Sequence, residues 1–294
     1  MTKFFGNKTA IFLFTFPLLA LYTIFVVYPI IPGIITSLQN HNGFSSQGFV
    51  GLANYKDVVQ TPEFWKSNLN NLIIIAVSTL LGLPFSLFLA MLIDVQTSGM
   101  RRFFKIASFM PAVLSVTVIS QMWIAIYEPR WGLLNTILQN IGLESLTGQW
   151  LSDEKTAIFS ITVAFLWQFI GFNMLLFYTG IKSIPKTYYE AALIDGANYM
   201  QSCVKITVPL LQEVTKYLLL ISILGSMAQF AHVRIMTNGG PGDASRTIVY
   251  QLYYTAFMQS DYGKGSAIAV LFIIESLIIT LIINSIVAKK KLQF

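Results

Sequence analysis

Three hydrogen-bonding side chains, Ser222, Ser226 and Gln229, interrupt a strongly apolar stretch in the C-terminal part of the chain. In a helix, positions i, i+4 and i+7 fall within roughly 60° of arc, so these side chains share one face. Polar groups inside an apolar helix usually face a cavity or another helix. The face therefore suits hydrogen bonding to a polyhydroxylated solute. Helix–helix packing is the alternative, because serine and the nearby Gly225 serve it equally well.

A second apolar stretch carries Trp167, Gln168, Phe172 and Asn173. The two amides can hydrogen-bond to hydroxyl groups, and the two rings can stack on the apolar face of a sugar ring. Aromatic residues make up 14% of the chain, so a ring at any one position is weak support. The rings can equally face lipid or a neighbouring helix. We favour Gln168 and Asn173 as groups that contact a solute.

Glu275 is the formal charge that lies deep in an apolar stretch. Such a residue can serve a proton relay or an ion site. It can also pair with another subunit, and we favour that structural role because no second charge lies near it in the sequence.

Catalytic patterns do not emerge from the remaining polar residues. His41, His232 and Cys203 are too few and too scattered for a metal site. The glycine-rich stretch 238–243 has turn chemistry, but the chain lacks the GxxxxGK[ST] pattern of a nucleotide-binding loop. We therefore expect a protein that is not an enzyme and that binds no cofactor or metal of its own.

The composition defines the class of protein that must position these groups. Of 294 residues, 55% are hydrophobic and 11% are charged, and the mean hydropathy is +0.65. Soluble domains carry roughly 25% charged residues. These values exclude a disordered chain and argue against a soluble enzyme, and a single cysteine excludes a disulfide scaffold. Long unbroken apolar runs favour a helical, all-α membrane protein over a β-barrel.

Six stretches are long enough to cross a bilayer. We predict one transmembrane domain over residues 1–294, with spans at about 10–37, 69–93, 106–127, 157–181, 217–233 and 266–288. The first span exceeds the thickness of a membrane core, so it should tilt, kink or protrude, with Pro17, Pro29 and Pro32 as the expected kink or exit points. We interpret it as retained rather than as a cleaved signal peptide.

The positive charges distribute unequally between the two sides of these spans. Twelve lysine and arginine residues fall on the side of both termini and seven on the other side. The positive-inside rule then places both termini in the cytoplasm. The net charge of +6 reflects this asymmetry, so we expect lipid and protein partners and no nucleic acid.

One cytoplasmic loop, about residues 182–216, is longer than the other. Pro185 and Thr187 are plausible helix starters, and Gly196 interrupts the helical pattern that follows. The loop therefore predicts two short helical pieces lying on the membrane. It serves either as an interfacial connection or as a docking surface for a cytoplasmic partner.

This loop resembles the EAA motif of ABC importer permeases, in the form found in the carbohydrate-uptake (maltose and glycerol-phosphate) type. The residues that carry the resemblance are Glu190, Ala191, Ala192, Asp195, Gly196, Ala197, Ile206 and Pro209. Residues 49–55, 131–135 and 237–242 resemble other segments of that family in the same order. Two positions depart from the family pattern. Cys203 or Val204 stands where an aromatic residue is common, and Glu213 stands where a proline is common.

The resemblance implies a type I ABC importer permease fold with six transmembrane helices in a bacterial inner (plasma) membrane. It implies a heterodimer with a second permease, two ATPase subunits that use ATP and Mg, and an external binding protein that delivers a sugar or oligosaccharide. The EAA segment would dock into the ATPase, where Glu190 binds polar or basic groups and Gly196 permits a bend. The alternatives are a secondary transporter coupled to ions through Glu275 and an intramembrane enzyme.

Overall fold

The computed structural model describes residues 8–286, which form helices joined by short loops and one two-stranded antiparallel sheet. Within this range, five helices are long and apolar enough to cross a membrane. A sixth crossing results if two helices bent by 100° count as one span. The predicted all-α, polytopic membrane architecture is thereby confirmed. The small sheet is a feature that the sequence analysis did not predict.

The elements follow one another with short connections. They are α1 (Lys8–Tyr22), α2 (Tyr28–Ser37), β1 (Gln39–His41), β2 (Ser46–Phe49), α3 (Ala53–Gln60), α4 (Pro62–Val77), α5 (Leu83–Asp94), α6 (Ser98–Val113), α7 (Val116–Ile126), α8 (Leu133–Asn140), α9 (Ala157–Ser183), α10 (Lys186–Ile194), α11 (Tyr199–Ser202), α12 (Val208–Leu210), α13 (Gln212–Met227), α14 (Ala231–Met236), α15 (Ile248–Tyr253) and α16 (Tyr262–Ile286). A 3₁₀ turn lies at Glu144–Leu146, and π-helical turns lie at Thr23–Val27, Ser78–Gly82, Cys203–Thr207 and Tyr254–Met258.

The long apolar helices overlap the ranges predicted as spans. They run over Ile11–Ser37, Pro62–Asp94, Ala157–Ser183, Gln212–Met236 and Tyr262–Ser285. The last two residues of the predicted sixth span, and the lysines at both ends of the chain that contribute to the charge asymmetry, lie outside the described residues.

Three of the π-helical turns end two residues before a proline, at Pro29, Pro84 and Pro209. Proline lacks an N–H group, and its ring clashes with the carbonyl four residues earlier. A π turn widens the helix at that place, so the chain continues past the proline. This explains why the first helix runs unbroken from Ile11 to Ser37, although the sequence analysis expected kinks or exits at its prolines.

The stretch predicted as the third span contains two helices, α6 and α7, that meet at 100°. Pro111 lies in the last turn of α6, and Leu114 and Ser115 separate the two helices. The Ser115 hydroxyl accepts a hydrogen bond from the Val118 amide at 3.3 Å and so caps the start of α7. A proline followed by a capping serine is the local signal for this break.

The chain forms two compact units. The first comprises residues 8–61 and 251–273. In it, β1 pairs with β2 through Gln39 and Phe49, and the Asn54 amide donates to the carbonyls of Ser37 and Gln39 at 2.8 and 2.9 Å. These hydrogen bonds fix the chain where α2 ends, because they satisfy carbonyl groups that the helix itself leaves free.

The second unit comprises residues 62–250 and 274–286, and α9 lies at its centre, packed against α4, α5 and α6. Ala90, Met174, Phe177 and Leu218 are fully or almost fully buried where α5, α9 and α13 meet. Small residues allow the helices to approach closely. At Gly171, an added Cβ would lie 1.7 Å from the backbone carbonyl oxygen of Ser108 on α6.

Candidate functional site

A cavity of about 390 Å³ lies among the membrane helices of the second unit. It is bounded by α6, α9 and α13 and by the π turn between α4 and α5. Its lining consists of Ser78, Gly82, Phe109, Ala112, Phe165, Leu166, Phe169, Ile170, Phe172, Asn173, Ile221, Ser222 and Gly225.

The lining of the cavity combines aromatic rings with a few neutral polar groups. Phe165, Phe169 and Phe172 follow one another at i, i+4 and i+7 on α9, so they share one helical face. Asn173 adds an amide, and Ser222 on α13 adds a hydroxyl. This arrangement can stack rings against an apolar surface and hydrogen-bond to neutral polar groups at its edge.

Three of the seven predicted path residues line this cavity: Phe172, Asn173 and Ser222. They come from α9 and α13, the two helices on which the sequence analysis placed the path. The other four residues, Trp167, Gln168, Ser226 and Gln229, lie outside the lining.

Gln168 is 4% exposed, and its amide donates to the carbonyl of Leu114 at 3.2 Å. Leu114 lies at the break between α6 and α7, where the interrupted helix leaves carbonyl groups without helical partners. Gln168 therefore holds the bend. Trp167 is close by, and its ring packs edge-on against Trp123 of α7 with centroids 6.0 Å apart.

Gln229 does not continue the helical face of Ser222, because α13 ends at Met227 and α14 begins only at Ala231. Its side-chain oxygen is 3.0 Å from Nδ1 of the buried His232. Its backbone carbonyl accepts a hydrogen bond from the Thr247 hydroxyl at 2.5 Å. These contacts make Gln229 part of a buried network at the end of the span.

Ser226 is fully buried near the C-terminal end of α13. The Asn71 amide donates to the carbonyls of Ser226 and Met227, both at 3.0 Å, and the Asn71 oxygen accepts from the Ile248 amide at 2.8 Å. The sequence analysis did not single out Asn71. Two adjacent asparagines, Asn70 and Asn71, in a predicted apolar span are the signal that would have identified it.

The segment that resembles the EAA motif forms a helix–turn–helix. Helix α10 ends at Ile194, and Gly196 follows with a φ of +76°, a left-handed conformation that favours glycine. Its amide donates to the Leu193 carbonyl at 3.1 Å. Asn198 then caps α11, with reciprocal hydrogen bonds of 2.9 Å between Asn198 and Gln201. These local interactions fix the bend that the sequence predicts at Gly196.

The surface of this segment is open and partly apolar. Leu193 and Ile194 are 75% and 87% exposed at the end of α10. Glu190, Ala191, Asp195, Gly196 and Pro209 are exposed, and Ala192, Ala197 and Ile206 are half-buried. Glu190 and Ala197 also line an open groove of about 410 Å³. Exposed large apolar residues beside carboxylates suit a protein partner.

Two tyrosines connect the segment to the helix bundle. The Tyr189 hydroxyl lies 2.9 Å from the Thr207 hydroxyl, and the Tyr199 hydroxyl donates to the Met91 carbonyl of α5 at 3.1 Å. Burial, followed by a hydrogen bond to Cys203, raises the pKa of Tyr199 above its usual value, so the hydroxyl keeps its proton and remains a donor. A displacement of the segment is thereby transmitted to α5.

Glu275 is half-buried in α16, and none of the salt bridges found among residues 8–286 includes it. Within the same range, no group of three His, Cys, Asp or Glu side chains is placed to hold a metal ion.

The geometry describes a polytopic helical protein with a membrane cavity and an exposed docking segment, and comparison with known proteins identifies its class. Residues 66–291 match the family described as binding-protein-dependent transport system inner membrane component, and the chain belongs to this family. The predicted family membership is confirmed. It supports a permease subunit of an ABC importer and does not support the ion-coupled alternative.

Individual relatives cover almost the whole chain. The probable ABC transporter permease protein YurN of Bacillus subtilis is 36% identical, over 94% of both chains. The arabinooligosaccharides transport system permease protein AraP of Bacillus subtilis is 34% identical, over 95% of this chain and 88% of the relative.

A solved structure confirms the predicted type I importer permease fold. It is a chain of a bacterial alginate ABC transporter in complex with an alginate pentasaccharide-bound periplasmic protein. That chain is 21% identical, with a TM-score of 0.82 over 96% of this chain and 95% of the other.

Proposed function

We propose that this chain forms part of the translocation path for a sugar or oligosaccharide in an ATP-driven importer. The observation that carries the proposal is the membrane cavity, in which phenylalanine rings lie beside the Asn173 amide and the Ser222 hydroxyl. Saccharides have apolar ring faces and a periphery of hydroxyl groups, so this lining complements both. The arabinooligosaccharide system of the relative AraP supports the same class of substrate.

Within the path, Phe172, Asn173 and Ser222 contact the sugar, since they line the cavity. Gln168, Trp167, Ser226 and Gln229 act one layer further out. They hold the α6–α7 bend and the end of α13, and so they set the shape of the cavity wall.

The energy for transport enters through the docking segment. In the proposed complex, Leu193 and Ile194 insert into a groove of an ATPase subunit, and Glu190 and Asp195 bind polar or basic groups around it. Gly196 sets the angle between α10 and α11 through its left-handed backbone. ATP and Mg bind to the ATPase subunits. This chain is non-catalytic, and it changes state because the ATPases make different contacts with the segment in their two arrangements.

The assembly comprises this chain, a second permease, two ATPase subunits and an extracellular solute-binding protein. The alginate transporter, solved with a sugar-bound periplasmic protein, supports the last of these partners. The whole chain acts as one permease domain in the inner membrane. Its termini and docking segment lie on the cytoplasmic side, as the excess of lysine and arginine on that side indicates.

The test is uptake of labelled arabino-, malto- and chito-oligosaccharides into proteoliposomes that contain the whole complex and its binding protein. We expect uptake of one class that requires enclosed ATP and persists when ionophores collapse the proton and sodium gradients. Uptake that follows the gradients while ATP is present would refute an ATP-driven importer. Uptake of none of the sugars, together with ATP-dependent uptake of a non-sugar solute, would refute the substrate class.

A further inference from the structure

A group of cations surrounds the first turns of α6 in the second unit. Arg101, Arg102 and Lys105 belong to α6, and Lys182 lies in the last turn of α9. The carboxylate that joins them is Asp94, at the end of α5, which pairs with Lys182 at 2.5 Å. The cations therefore outnumber the acid four to one, and the surface attracts anions.

Two of the four cations are already committed to the protein. The Arg101 guanidinium donates to the carbonyls of Asp94 and Gln96 at 3.0 and 2.7 Å and so closes the end of α5. Lys182 is held by its ion pair with Asp94 and also faces the ring of Tyr178, 5.7 Å from the centroid.

The other two cations, Arg102 and Lys105, have no carboxylate partner in the part of the chain that the structure describes. Lys105 lies 4.8 Å from the centroid of the Tyr178 ring, which orients its ammonium group but does not neutralise it. Residues three apart on a helix have Cβ atoms about 5–6 Å apart. Arg102 and Lys105 can therefore bind one anion between them.

An apolar stripe adjoins this pair on the same helix. Phe103, Ile106 and Met110 are 65%, 56% and 58% exposed, and their i, i+3 and i+7 spacing places them within roughly 60° of arc. Arg102 lies one turn before Ile106, at the end of the stripe where the charges begin. The stripe then runs along α6 into the apolar part of the bent span.

We propose that Arg102, Lys105 and the stripe Phe103, Ile106 and Met110 bind one anionic phospholipid. The lipid phosphate lies between the guanidinium and the ammonium groups, and an acyl chain follows the stripe. A free phosphate would use the two cations only, whereas a lipid uses the cations and the stripe together. Because α6 also carries Phe109 and Ala112 of the cavity, the lipid holds one wall of the cavity in place.

The test measures phosphatidylglycerol retained by the purified complex after delipidation, using native mass spectrometry. The variant Arg102→Gln/Lys105→Gln should retain at least tenfold less phosphatidylglycerol than the wild type, and the conservative swap Arg102→Lys/Lys105→Arg should retain it. The matched control is Arg130→Gln/Lys155→Gln, which removes two exposed cations elsewhere and should change nothing.

A second arm separates a lipid from a free anion. Phe103→Ser/Met110→Ser should also weaken retention, and 10 mM inorganic phosphate should not displace the lipid. Equal retention in the wild type and Arg102→Gln/Lys105→Gln would overturn the proposal. So would displacement by inorganic phosphate, which would indicate a free-anion site. Failure of the conservative swap to assemble with the ATPase subunits in any lipid would also overturn it, since the surface would then be a protein contact.

Discussion

Gly171 offers a direct test of how the cavity wall is built. It lies on α9 where this helix packs against α6. A Cβ at this position would lie 1.7 Å from the carbonyl oxygen of Ser108 and 2.3 Å from its carbonyl carbon. Both atoms belong to the backbone of α6, so no side-chain rotamer can relieve the clash. Gly171→Ala must therefore move α6 away from α9.

The size of the effect follows from the distance. Non-bonded carbon atoms pack at about 3.5–4.0 Å, so α6 must retreat by roughly 1.5–2 Å. Overpacking a closely packed site costs about 1–3 kcal/mol, and alanine recovers up to about 1 kcal/mol through its higher helix propensity. A rigid backbone contact belongs at the upper end of that range. We expect a net loss of about 2 kcal/mol, which lowers the ratio of folded to unfolded protein roughly thirtyfold.

The assay compares Gly171→Ala with Gly225→Ala in the purified complex. Gly225 is also helical and also borders the cavity side of the bundle, but an added Cβ there meets nothing within 4 Å. We expect Gly171→Ala to lower the melting temperature and the amount of complex in the membrane, while Gly225→Ala keeps or slightly raises both. A Gly171→Ala complex that melts like the wild type would refute the close approach of α6 and α9.

Three further outcomes are expected. Asn173→Ala should lower the initial rate of uptake about threefold to tenfold, as expected for one lost hydrogen bond of about 0.5–1.5 kcal/mol, while sugar binding to the binding protein stays the same; unchanged uptake would remove Asn173 from the path. Gly196→Pro should abolish sugar-dependent uptake but leave ATP hydrolysis and membrane insertion intact, because proline cannot adopt a φ of +76°; normal uptake per ATP hydrolysed would contradict the docking role. Gln229→Ala should destabilise the complex by about 1–3 kcal/mol, since it leaves a buried imidazole without its partner; a variant with wild-type thermal stability and reduced uptake would return Gln229 to the substrate path.

Several features of the fold were predictable because their causes are local. A bilayer requires long apolar segments, so composition alone identifies a membrane protein and places its helices. The bend in the docking segment is equally local. Gly196 adopts a left-handed conformation, and Asn198 caps the helix that follows. The hairpin of β1 and β2 was missed because its seven residues carry no apolar alternation.

The third span shows the limit of a hydropathy reading. Residues 106–127 are apolar throughout their middle, so hydropathy treats them as one helix. The break depends on Pro111 and on the capping Ser115, and it is held by Gln168, which is 54 residues away in sequence. Local signals mark where a helix can break, whereas a distant side chain stabilises the bend.

The spacing of polar residues along the chain correctly marked Ser222, Phe172 and Asn173 as neighbours of one cavity, because α9 and α13 are regular helices at those positions. The same spacing placed Gln229 on that face, although the helix ends at Met227. That end depends on Asn71, whose amide binds the last carbonyls of α13 from a different helix. Helical periodicity follows from the order of residues, but the point where it stops depends on hydrogen bonds between segments far apart in the chain. Which polar groups reach the cavity is therefore a property of the packed bundle.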